Sequence, residues 1–71
     1  MNLSQFKDPK DALKYLKKER KRLEKEMELL LKKRDRGEID DEEFNSKKRE
    51  IERKFIEIMD RIAQMKYLSG V

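Results

Sequence analysis

The sequence predicts an all-α fold: a two-helix antiparallel coiled-coil hairpin, with helices over about residues 9–36 and 41–68 and a turn at 37–39. Three observations predict it. The chain is 51% charged and 35% hydrophobic, which suits long helices that bury one stripe and leave the rest in water. Apolar residues recur at intervals of three and four on both sides of the middle of the chain. Between those two stretches, residues 34–44 read RDRGEIDDEEF, a helix stop followed at once by a helix start.

The first helix opens on Asp8 as N-cap, with Pro9 at the first helical position and Asp11 in the first turn. Its apolar seam is Leu13, Leu16, Leu23, Met27 and Leu30, with Arg20 and Arg34 filling gaps in the pattern. Lys32, Lys33, Arg34 and Arg36 crowd its last turn, where the helix dipole favours cations. Gly37 follows where a C′ residue needs positive φ.

The second helix starts with the form of a capping box. Asp40 is the N-cap, accepting from the Glu43 N–H, and Glu43 reaches back to the Asp40 N–H. Ile39 and Phe44 flank the cap as a hydrophobic staple. The seam then runs Phe44, Ile51, Phe55, Ile58, Ile62 and Met65, with Lys48 in one gap, and Ser69-Gly70 reads as a stop. A turn this short favours antiparallel neighbours. Folding about it sets Leu30 near Lys47, Leu23 near Lys54 and Phe55, and Leu13 near Met65. Arg20 then falls level with Glu57, and an ion pair between them is expected to help fix register.

Composition restricts the function. The 71 residues make one small domain, with residues 1–7 as an N-terminal tail. At this length one core supplies only about 3–5 kcal/mol, so regular packing, self-association or a partner is expected to help. With no Cys there is neither a disulfide framework nor a thiolate zinc site, and with no His the usual general base is missing. The hydroxyls of Ser4, Ser46 and Ser69 therefore have no activating partner, and no enzyme activity, cofactor or metal is expected. The acidic turn is no EF-hand: a loop begun at Asp35 needs Gly at its sixth position and has Asp40. The longest apolar run is Leu29-Leu30-Leu31, far short of a membrane span, and MNLSQFKDPK has no signal-peptide core. A soluble cytoplasmic protein with no membrane contact is expected. High Lys and Glu, few Asn and Gln and no Cys fit a thermophile composition.

Residues 29–51, LLLKKRDRGEIDDEEFNSKKREI, resemble the SHOCT-type short helical module. Its pattern is a Leu-rich helix, Gly-x-Ile, an acidic cap, Glu-Glu-Phe, then Lys and an aliphatic residue. Gly37, Ile39, Glu42, Glu43, Phe44, Lys48 and Ile51 match it as they stand. The match covers about a third of the chain. In that family the module usually ends a longer protein and mediates oligomerisation or protein contact, so the resemblance implies an interaction role and no chemistry. Here both helices run on for several more turns.

Two surfaces exceed what a hairpin needs. Ile56, Met59, Ala63 and Tyr67 form a second apolar stripe on the second helix, about 80–160° from Ile51 around its axis. One partner helix cannot cover that arc, so the stripe points to another copy, giving a four-helix bundle, or to another protein. Leu3 and Phe6, entering at the same end of the hairpin, either fold back over Ala63 and Tyr67 or act as an anchor on a larger target.

The second surface is basic. Lys10, Lys14, Lys17, Lys18, Lys21, Lys25 and Lys32 cluster opposite the seam of the first helix. Residues 9–36 carry 12 Lys or Arg against 6 acids, so +6; residues 37–71 carry 7 against 9, so −2. Like-charge i,i+4 pairs such as Lys14–Lys18, Lys17–Lys21 and Lys21–Lys25 cost a few tenths of a kcal/mol each. The stripe reads as a solvated face, as a contact for phosphates of nucleic acid or of a ribosome, or as a contact for an acidic protein. Glu19, Glu24, Glu26 and Glu28 flank it, and no aromatic lies within it to stack on bases. The leading expectation is a non-catalytic hairpin for protein–protein interaction or homodimerisation, with phosphate binding by the first helix as the alternative.

Overall fold

The computed structural model describes residues 8–69. Two helices, α1 (Pro9–Asp35) and α2 (Asp41–Ser69), pack against each other as a hairpin measuring 45 × 20 × 15 Å. The long dimension is what 27 and 29 residues give at about 1.5 Å per residue.

Both ends of α1 and the start of α2 are satisfied locally. The Asp8 carboxylate accepts from the backbone N–H groups of Lys10 (2.8 Å) and Asp11 (3.1 Å), with Pro9 behind it. At the other end of α1 the chain closes a Schellman motif. The Glu38 N–H donates to the Lys33 carbonyl (2.9 Å) and the Gly37 N–H to that of Arg34 (3.0 Å). Gly37 makes this possible with φ of +72°.

Helix α2 then begins on Asp40, whose carboxylate accepts from the Glu43 N–H at 2.7 Å. The expected capping box forms only on that side. The Glu43 carboxylate pairs instead with Lys47 Nζ (3.2 Å), one turn further along the same helix. A cation at i+4 holds it there by charge, and the pair is half exposed on both sides. Ile39 packs on the core that contains Phe44, as a staple requires.

The core is a single stripe. Leu13, Leu16, Leu23, Leu30, Phe44, Ile51, Ile58, Ile62 and Met65 are buried, with Met27, Phe55 and Ile39 half-buried against them. Ala12 is buried as well, only 2% exposed. It lies one turn before Leu16 and belongs to the same core cluster. The register is as expected: Leu30 lines a trough with Lys47 and Ile51, and Leu23 lines one with Lys54 and Ile58.

The two arginines in the α1 seam find different solutions. The Arg34 guanidinium lies over the Phe44 ring, 4.3 Å from its centroid, so the cation stays near water while its flat face covers the buried ring. Arg20 does not pair with Glu57. Its Nη1 donates to the Met59 sulfur at 3.9 Å, a weak acceptor. The two residues share a level but flank the seam on opposite sides. Glu57 lines a trough with Glu19, Arg22 and Lys54, whereas Arg20 leans toward Met59. Among the described residues the ion pairs are Glu19–Arg22 and Glu43–Lys47, both within one helix, so register rests on apolar packing and the turn.

Candidate interaction surface

Helix α2 faces α1 with the Ile51–Ile58–Ile62–Met65 stripe, and this orientation fixes what its other faces present. Ile56, Ala63 and Tyr67 point away from α1, and Met59 lies at the border. Ile56 is 66% exposed, Met59 47% and Tyr67 86%, and Ala63 is exposed. All four residues expected at a partner interface within the described region are thus open to solvent on one side of α2. Met59 has two roles, since its sulfur also accepts from Arg20 while nearly half of the residue stays exposed. Leu3 and Phe6 lie outside the described residues.

Besides Tyr15 on α1, at 36%, three further apolar side chains are exposed. Leu68 (57%) sits on the opposite flank of α2 from Met59. Leu29 and Leu31 lie on different flanks of α1 near the turn. Periodicity alone marks Leu29-Leu30-Leu31 as one apolar run, yet a helix turns about 100° per residue and only Leu30 reaches the core. None of the three joins the Ile56 stripe.

Lys14, Lys17, Lys18, Lys21, Lys25 and Lys32 are all exposed along the far side of α1. None takes part in an ion pair among the described residues, although Glu24, Glu26 and Glu28 stand beside them. The stripe is a row of separate ammonium groups. It has no fixed fork or nest that would orient one phosphate.

The turn residues have structural duties. Gly37, Asp40, Glu43, Phe44 and Ile39 respectively close the helix stop, cap α2, pair with Lys47 and fill the end of the core. Among the described residues no three carboxylates converge as a metal would require. Surface depressions among the described residues include open troughs lined mainly by charged and polar side chains, one of them (Glu42, Asn45, Ser46, Arg49, Glu50, Arg53) made by the side chains of α2 alone. Among the described residues no helix is long and apolar enough to cross a membrane.

What the arrangement offers is thus two opposed faces on a thin hairpin: an apolar-centred face on α2 and a cationic face on α1. No family model matches the chain, and no curated protein or solved structure matches it significantly.

Proposed function

We propose that this chain is a non-catalytic protein-interaction hairpin that associates through the outer face of α2. The observation that carries the reading is the exposure of Ile56, Met59, Ala63 and Tyr67 together on the side of α2 that α1 leaves open. Burying Ile56 alone, now two-thirds exposed, contributes about 1–2 kcal/mol to association. A hairpin one helix-pair thick gains core area by joining a larger bundle, which offsets its small size. The lysine face of α1 then keeps the assembly soluble. The resemblance of residues 29–51 to the SHOCT-type module agrees with an interaction role.

Light scattering on the wild type and on Ile56→Glu/Met59→Glu tests this. The wild type is expected to exceed one chain mass, and the variant to be a helical monomer by circular dichroism. Unchanged association of the variant overturns the reading.

One observation favours a second reading: six exposed lysines on one face of α1 that form no ion pair among the described residues. In it, α1 lies along nucleic-acid phosphates. Binding then falls steeply with salt and is lost when Lys18, Lys21 and Lys25 become Glu.

A further inference from the structure

The outer face of α2 carries a second heptad seam. Arg49, Arg53, Ile56, Asp60, Ala63 and Tyr67 follow one another at spacings of four, three, four, three and four. All six are exposed, on the side turned from α1. The order of charges along it is uneven: two arginines toward the start of α2, then Ile56, then one aspartate, then Ala63 and Tyr67.

The charged members form no ion pair among the described residues. Arg49 and Arg53 are an i,i+4 like-charge pair and repel. Among the described residues neither arginine nor Asp60 makes an ion pair, the pairs present being Glu19–Arg22 and Glu43–Lys47. An isolated helix face gains nothing from this order, but an antiparallel copy of itself does.

We infer that the partner is a second copy of this chain, docked with its α2 antiparallel along the outer face of α2; this rests on the reading that this face is the docking surface. With the two-fold axis level with Ile58, Arg53 comes level with Ala63 of the second copy and Ile56 with its Asp60; Arg53 reaches that Asp60 diagonally, about 4.5 Å along the axis, which its long side chain spans, and the symmetry repeats the pair. Arg49 comes level with Tyr67 of the second copy, cation over ring. The aliphatic stem of Arg53 lies across Ala63 of the second copy, a long side chain against a short one. Near the centre Ile56 of each copy packs beside the Asp60 stem of the other, with Met59 at the border. A parallel pair would instead set arginine against arginine and aspartate against aspartate.

Net charge selects the same helix. Residues 37–71 carry −2 and residues 9–36 carry +6. Pairing through α2 keeps the two basic helices on the periphery, whereas pairing through α1 would press like charges together.

Charge reversal tests the inference in solution. Arg53→Asp and Asp60→Arg change exposed residues only, so both variants are expected to keep wild-type helicity. The wild type dimerises; each variant alone associates about tenfold or more weakly, because two like-charge contacts replace two opposite ones. Mixing the two variants restores a dimer of one chain of each, and the double variant in one chain restores it as well. A parallel pair already sets like charges against each other, so a dimer indifferent to either single reversal overturns the inference. If Ile56→Glu then still gives monomers, the interface reading stands and only the antiparallel pairing falls. A wild type that remains one chain at every concentration overturns both. A dimer that forms only when residues 1–7 are deleted assigns the face to that segment in the intact chain and equally removes the second copy from it.

Discussion

Leu16→Ala probes the core most sharply. Leu16 is 0% exposed and is the large side chain buried most completely in the hairpin. The substitution removes three carbons. At about 0.8 kcal/mol per buried methylene the transfer loss is about 2.4 kcal/mol. A cavity adds to it, and buried Leu→Ala changes span about 2–5 kcal/mol. The hairpin has only two helices, with half-buried Glu19 and Arg20 beside the site, so the hole closes partly and about 3 kcal/mol is expected. A single core of this size supplies about 3–5 kcal/mol, so the variant sits near its unfolding midpoint.

Association would add concentration-dependent stability. The comparison is therefore made in an Ile56→Glu background, by urea unfolding followed at 222 nm. Leu29→Ala, at 57% exposure beside the buried Leu30 in the chain, serves as control and is expected to change stability by no more than about 0.5 kcal/mol. A Leu16→Ala cost below about 1 kcal/mol, or equal costs at the two leucines, would refute the reasoning.

The same urea assay separates other contributions. Asp40→Ala is expected to cost about 1 kcal/mol through the lost cap, while Glu43→Gln costs about 0.3–0.5 kcal/mol through Lys47 alone; equal costs would restore the reciprocal box. Gly37→Ala is expected to cost about 1 kcal/mol with Gly37→Asn costing less, since no atom lies within 4 Å of an added Cβ and only the positive φ opposes it; an Ala variant as stable as wild type would contradict this. Glu57→Gln is expected to change stability by less than about 0.5 kcal/mol, because Arg20 turns to the Met59 sulfur; a cost of 2 kcal/mol or more, of the order of a broken buried pair, would place Glu57 beside Arg20 after all.

The hairpin could be read from the chain because several local signals agree. Asp8-Pro9, the basic last turn, Gly37 and Asp40 each mark a boundary by their own backbone chemistry, and the observed ends differ from the expected ones by one residue. The seam follows from a period of three and four, and every expected member is buried or half-buried.

What escaped is what depends on direction around the axis. Ala12 carries too little hydrophobicity to mark a period, yet its small size is why the core admits it. The Arg20–Glu57 pair followed from their level along the hairpin, while the side chains leave the seam on opposite flanks. Glu43 had two competing partners, the Asp40 N–H and Lys47, and pattern alone does not weigh them. The Ile56 stripe was visible as apolar residues off the seam. The charge order that suits an antiparallel copy emerges only once α1 is placed and the outer face of α2 is defined.

The most direct test is the solution mass of the wild type by light scattering, across concentration and salt, with and without mixed RNA and DNA. A dimer that forms with rising concentration, ignores nucleic acid and responds only weakly to salt is the expected result, since exposed ion pairs add little to apolar burial. A single chain that gains mass only with nucleic acid and loses it again at high salt would contradict the α2 interface and move the function to the lysine face of α1.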